Sequence, residues 1–305
     1  MVARIPLVNL GGQLSELPSG DAVAWKVSAP AAAPASTIAQ FAGNVAGRLM
    51  PSFIDSNGLA DALQPWLARG GFGLWMPPGN STVVPGVLGY TAPTVVGTAT
   101  ARNVVTSNFF NRLRRLGYVS VATAAGLCEA RVAVAQITIG DGTGLGGFTK
   151  ICRFGCSDAA TVAGARQFVG VSASTAAATN VEPSTLTNVI GVGHGAADTN
   201  LKLYFGGSAA QAPIDLGANF PVNTLSVDAY ELALFAHPFA ATVGYLVTRL
   251  NTGQVASGTL SAATAGLQLP LNTTLLSYHK AWRCNNATAL AVGLDIISDY
   301  IETNN

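Results

Sequence analysis

Charge is what this 305-residue chain has least of: 10% of its residues are charged, against 49% apolar. Average soluble domains carry about 25% charge. The 16 basic and 15 acidic residues leave a net charge of +1, too weak and too dispersed a field to grip the phosphates of a nucleic acid. The mean hydropathy is +0.38, yet a membrane-spanning run is missing. The longest nearly uncharged apolar stretch, Leu232 to Val247, is broken by His237, Pro238, Thr242 and Gly244, whereas a spanning helix needs roughly 18 apolar residues. A signal peptide is missing too, since Pro6, Asn9, Gly11, Gly12 and Gln13 interrupt any apolar core for one, and synthesis in the cytoplasm is expected. Cysteine is scarce: Cys128, Cys152, Cys156 and Cys284 include no C-x-x-C pair, which argues against zinc and for buried free thiols. Cys152 and Cys156 fall four apart in a strand-like run, about 13 Å from each other at 3.3 Å per residue, too far to bond.

So little charge over so many apolar residues means that the outer faces are covered by small neutral residues or by other chains. The second is simpler, and the chain is expected to be a subunit of an assembly. The length suits one large or two modest domains and is ample for a core.

Three zones differ in composition. Residues 1–46 run through Ser28-Ala-Pro-Ala-Ala-Ala-Pro-Ala-Ser36, where Pro30 and Pro34 favour an extended path, so the segment is predicted to be an arm and linker. Between Ser36 and Arg69, Ile38, Phe41, Val45 and Leu49, then Leu59, Leu63 and Leu67, recur at helical spacing. That pattern predicts two short helices parted by Pro51, the second capped at Asp55-Ser56-Asn57, and makes 47–69 a short helical neck. From 70 to 305 the chain reads as β. Short apolar or alternating runs such as Phe148 to Phe154, Gln167 to Ser172, Ser226 to Phe235, Val243 to Leu250, Leu275 to Trp282 and Leu290 to Ile301 are set off by glycine-rich turns. In Asp228 to Phe235, Tyr230, Leu232 and Leu234 are predicted to face the core. About a dozen such strands with few helices predict a mainly β protein, an antiparallel β-sandwich or jelly roll.

Motifs for chemistry are few. Gly142-Thr-Gly144-Leu-Gly146-Gly147 satisfies G-x-G-x-x-G, but a strand-like run and not a helix follows it, so a hairpin loop explains it better than a dinucleotide. A glycosidase needs two carboxylates flanking the bond. Asp295 and Asp299 would share a strand face two repeats apart, with Glu302 pointing away, and solubility at a sheet edge is the better account. His194 lies beside Asp198 in a glycine-rich loop without a nucleophile elbow. Asp198 and Asn200 could offer oxygens to calcium, though no third acid is near, and a turn cap is favoured. Arg112, Arg114 and Arg115 are expected to pair with carboxylates across a subunit interface. Tyr278, His279 and Trp282, if carried on one exposed strand, would suit a sugar, whose apolar face packs on aromatic rings, while Trp282 fits a core position equally well.

Several segments resemble tailed-bacteriophage tail-fibre and receptor-binding proteins: Arg69-Gly-Gly-Phe-Gly-Leu-Trp75-Met-Pro-Pro-Gly-Asn80, Thr98-Ala-Thr-Ala-Arg102-Asn, Arg114-Arg-Leu-Gly-Tyr118-Val-Ser, Phe154-Gly-Cys-Ser-Asp158-Ala-Ala, Arg166-Gln-Phe-Val-Gly170 and Ile190-Gly-Val-Gly-His194-Gly-Ala-Ala-Asp198. The resemblance spans about residue 48 to the C-terminus. It implies a concanavalin A-like lectin sandwich in a homotrimer, located in the virion and joined to other tail or baseplate proteins through its N-terminal arm. It defines no ligand residues, and a long repetitive shaft is missing. The expected function is adsorption to host surface polysaccharide without catalysis, metal or cofactor. Tyr278, His279, Trp282, His194, Asp198 and Asn200 are its candidate contacts. A structural capsid or baseplate component without receptor binding is the alternative, and a depolymerase the third.

Overall fold

The computed structural model describes residues 7–10, 13–16, 37–55, 60–62, 71–75, 80–82 and 92–303. Two compact units separate: Met1–Asn44 with Leu49–Pro65, and Val45–Arg48 with Trp66–Asn305. In the first, β1 (Leu7–Leu10) and β2 (Gln13–Glu16) pair antiparallel; β3 (Ile38–Val45), β4 (Arg48–Asp55) and β5 (Ala60–Ala62) form a three-stranded sheet, whose β3–β4 hairpin tip, Val45–Arg48, belongs to the second unit.

The helices expected after Ser36 are corrected here, because residues 38–55 are strands. Between β3 and β4, Ala46 and Gly47 both take positive φ, 53° and 91°, the geometry of a tight hairpin turn whose twist matches its strands. Buried Met50, Ser52 and Ile54 then alternate with a period of two. The second expected helix, with Leu59, Leu63 and Leu67, and the Pro30–Pro34 arm lie outside the described residues.

The second unit is the antiparallel β-sandwich that the strand pattern predicted. Its elements begin with β6 (Gly71–Trp75), β7 (Thr94–Val96), β8 (Thr98–Arg102), the one-turn helix α1 (Phe109–Arg112), β9 (Arg115–Val119) and β10 (Leu127–Arg131). They continue with β11 (Phe148–Cys156), β12 (Arg166–Ser172), β13 (Val189–His194), β14 (Lys202–Gly206) and β15 (Ile214–Asp215). The last are β16 (Tyr230–Ala236), β17 (Thr242–Arg249), β18 (Gln254–Ser261), β19 (Ser277–Cys284) and β20 (Gly293–Thr303).

Among the described residues one sheet runs β15-β14-β13-β12-β19-β10-β7. The other runs β18-β17-β16-β11-β20-β9-β8, with β6 also on β20. The core between them takes alternate residues from both, including Tyr230, Leu232 and Leu234 from β16 as predicted, with Val169 and Val171 facing them from β12. After β10 the chain leaves the sheet at Arg131, and up to Ile139 it returns only through an isolated bridge from Ile137 to Leu276. No helix among the described residues is long and apolar enough to cross a membrane.

One irregularity matters for the acids. Across β11 and β20, Phe154 pairs Ile296 while Arg153 pairs Ser298, so Ile297 is the extra residue of a β-bulge. Without it Asp295 and Asp299 would share a face. With it, Asp295 turns outward and Asp299 turns into the gap between the sheets.

Candidate functional site

All eight residues of β19 are buried, and the exposed strand of three aromatic rings is corrected accordingly. Tyr278 belongs to the main core. Trp282 packs with Phe168, Val189, Tyr204 and Cys284, covered by Ala178 and Leu186. The cause is the 173–188 segment, which folds over the outer face of its sheet. Glu129 accepts from the Ala178 N–H at 3.1 Å, Arg131 Nε donates to the Thr175 carbonyl at 3.0 Å, and Lys280 Nζ donates to the carbonyls of Ser174 and Ala176. The cavity of about 310 Å³ beneath it reaches Trp282 and Lys280, but the indole is 1% exposed and offers no ring face to a ligand.

His194 is equally enclosed. Its Nε2 lies 2.7 Å from Arg283 Nη1 and its Nδ1 3.2 Å from the Gly195 carbonyl. Arginine only donates, so Nε2 accepts and the imidazole proton sits on Nδ1. Burial, and then the Arg283 charge, push this histidine's pKa down to about 3. Asp198 shares the same turn. Its carboxylate accepts from the Gly195 N–H at 2.7 Å and the Tyr204 hydroxyl at 2.8 Å, and pairs with Lys202 at 2.6 Å. Burial alone would raise its pKa, but these three partners hold it below its ordinary value. Asn200 turns instead to Asp215 at 3.2 Å. The turn-cap reading of Asp198 holds, and its oxygens are engaged by the chain itself.

The acids of β20 are not at a sheet edge, because β20 lies between β11 and β9 and both carboxylates are buried. Asp295 pairs with Arg115 at 2.9 Å and Arg102 at 3.2 Å, so Arg115 finds its partner within the chain and not across an interface. Asp299 pairs with Lys150 from β11 and, at 2.9 Å, with His279 Nδ1 from the opposite sheet. Burial works to raise the Asp299 pKa, and the charges and hydrogen bonds of Lys150 and His279 hold it below the ordinary range. The Cys152 thiol joins them: donor atoms of Cys152, His279 and Asp299 lie within 4.8 Å of one another. A metal ion there would have to displace the Lys150 ammonium from the same carboxylate. The four cysteines are free and buried, as expected, and burial pushes the Cys128 thiol up to about 12 and Cys156 to about 11.

The solvent-facing arrangement with usable chemistry lies elsewhere, in a cleft of about 240 Å³ that includes Arg48, Thr149, Phe235, His237, Phe239 and Glu302. Phe235 is the penultimate residue of β16, and His237 and Phe239 follow at the same two-residue spacing through the turn to β17. Their rings follow one another edge to face, centroids 5.5 and 6.1 Å apart. The Phe239 N–H donates to His237 Nδ1 at 3.0 Å, which fixes the ring and leaves Nε2 outward. Phe239 is 64% exposed. Beside the row, Arg48 donates to Thr149 Oγ1 at 2.6 Å and to both oxygens of Glu302 at 2.9 and 3.2 Å, and its guanidinium lies 5.7 Å from the Phe235 ring.

The glycine motif explains itself here. Asp141 ties the loop by accepting from the N–H groups of Thr143, Gly144 and Leu145. A Cβ on Gly144 would meet the Phe239 ring at 2.8 Å, and one on Gly147 the Ala236 carbonyl at 2.6 Å. The glycines let the loop press against the aromatic turn, and the strand β11 follows in place of a helix. Sequence reading missed this site. The i, i+2, i+4 spacing of Phe235, His237 and Phe239 was its visible signal, hidden inside a run read as apolar, while Arg48 and Glu302 come from opposite ends of the chain.

No protein-family profile and no curated relative matches the sequence. Among solved structures the chain is similar to peanut lectin with a 9mer peptide, at 11% identity and a TM-score of 0.49 over 77% of this chain and 98% of that one. It is similar also to lectin II from Ulex europaeus, at 12% identity and 0.48 over 78% and 100%. Lotus tetragonolobus seed lectin gives 11% identity and 0.47 over 76% and 97%. At such identities these are likenesses of fold alone.

Proposed function

We propose that this chain is a non-catalytic glycan-binding protein of a phage tail, a fibre or spike subunit that adsorbs to host surface polysaccharide through the Phe235–His237–Phe239 row. The observation that carries the reading is that row: His237 and Phe239 exposed to solvent and Phe235 half-buried behind them, bordered by a guanidinium and a carboxylate. Ring faces take the apolar face of a pyranose, and Arg48, Glu302 and His237 Nε2 supply hydrogen bonds for its hydroxyls. Glu302 is the one carboxylate lining the cleft among the described residues, and Arg48 holds it at both oxygens. Glycoside cleavage needs two acids flanking the bond, so the cleft suits binding.

The phage assignment is supported by the tail-fibre-like segments from residue 48 onward. The homotrimer is supported by low charge together with exposed Val104, Val105, Phe109, Val121 and Val134, which association would cover. In this reading the N-terminal arm attaches to the tail or baseplate. Light scattering of the purified chain is expected to give three times 31.0 kDa; a stable monomer removes the trimer.

The binding test is a panel of immobilised host polysaccharides and intact host cells. Phe239→Ala is expected to weaken each site by about 1 kcal/mol, roughly fivefold, with a larger loss in the multivalent assay. Trp282→Phe is expected to leave affinity unchanged. A wild-type chain that binds neither cells nor polysaccharide points to the structural virion component.

A further inference from the structure

We infer that Lys150 and Asp299 are the reactants of a self-generated amide cross-link between β11 and β20. Both side chains are fully buried and in contact, one on each of two neighbouring antiparallel strands. The register pairs Lys150 with Ile301 and Cys152 with Asp299, so lysine and aspartate are diagonal neighbours on the inward face, within reach of each other for a long side chain. His279 arrives from the opposite sheet and places Nδ1 2.9 Å from the second carboxylate oxygen. The Trp75 ring stands edge-on to it at 5.8 Å, and Trp75 lies opposite Asp299 on β6. An amine, a carboxyl and an imidazole are thus held together in a site closed to solvent.

The chemistry balances without any outside reagent. The ammonium passes one proton to the carboxylate, and the freed lone pair of Lys150 Nζ attacks Asp299 Cγ. His279 relays the second nitrogen proton to the oxygen it faces. The Cγ–O bond breaks, one water leaves, and a neutral amide replaces an ammonium and a carboxylate. In bulk water such a condensation is unfavourable and slow. Here the reactants are pre-positioned, which replaces a bimolecular encounter by an intramolecular one. Holding two charges in a dry interior is costly, and the amide removes both. The product would tie two inner strands of one sheet and close a loop of 149 residues. A loop that long constrains the unfolded chain strongly.

The test is the intact mass of the purified full chain under denaturing conditions. The expected value is one water below the mass of the sequence, in essentially every molecule. Trypsin should then fail to cut after Lys150 and release a branched peptide joining residues 132–153 to residues 284–305. Lys150→Arg keeps a cation against Asp299 but has no comparable nucleophile, and its mass should be complete. His279→Gln should give a mixture of linked and unlinked chains that shifts with time. A folded wild-type chain of full mass, cut normally after Lys150, overturns the inference. So does a lost water that maps to any other residue.

Discussion

Replacing Arg283 with methionine is expected to destabilise the sandwich by about 3–5 kcal/mol, the cost of stranding one partner of a buried ion pair. A domain of this kind has of order 5–15 kcal/mol in all, so the variant should melt far below the wild type or fail to accumulate. Arg283 is fully buried on the inward face of β19. It donates to Asp158 at 3.0 Å, to Gln167 Oε1 at 3.2 Å, to His194 Nε2 at 2.7 Å and to Asn223 Oδ1 at 2.6 Å. Asp158 in turn accepts from the Gly293 N–H at 2.7 Å, which pins the start of β20. Lysine cannot rescue the site, since a single ammonium cannot reach four acceptors in a plane. Denaturant titration of Arg283→Met, Asp158→Asn and the double variant measures the coupling. The double variant should be less damaged than the sum of the two. A shift under about 1 kcal/mol for Arg283→Met would contradict this account.

The second large effect is acid sensitivity through His194. Its folded pKa is lowered from 6.5 to about 3, so the native protein keeps the ring neutral where an unfolded chain would protonate it. The unfolded state therefore binds the extra proton below about 6.5. Stability is complete above that pH and falls as the pH drops, by about 1.4 kcal/mol per unit for one proton, until the folded value is reached. Carboxylates contribute mainly below about 4–5, which leaves the interval from about 6 to 5 as a window dominated by histidine. Folding free energies measured across it should slope for the wild type and flatten for His194→Gln, whose amide can still accept from Arg283. A slope unchanged in the variant would assign the proton elsewhere.

The same cluster shows what could be read in advance. Strand positions in the sandwich were legible because period-two alternation and glycine turns are local signals; Tyr230, Leu232 and Leu234 face the core as their spacing dictates. The Ile38–Leu49 spacing was ambiguous, since apolar residues three and four apart fit a helix stripe and also a strand that turns at Ala46–Gly47. Buried charge was not legible at all. Lys150, Arg283, Asp158 and Asp299 look like surface residues in the sequence, and only the pairing of distant strands gives each its partner. The candidate site failed for a related reason. Trp282 looked suited to a sugar until the 173–188 segment covered it, and Phe235, His237 and Phe239 gain their meaning from Arg48 and Glu302, which are 254 residues apart.

The bulge in β20 has a genetic consequence. In most strands the loss of one residue re-phases everything beyond it, sending core side chains into solvent. Ile297 is the exception. Removing that codon would leave Ile296 inward, Ser298 outward and Asp299 inward, in regular pairing with Phe154, Arg153 and Cys152. The expense would be confined to the contacts Ile297 makes with Phe110 and Ala229. This strand can therefore be shortened at one position, and lengthened back, while its buried lysine–aspartate pair stays in register.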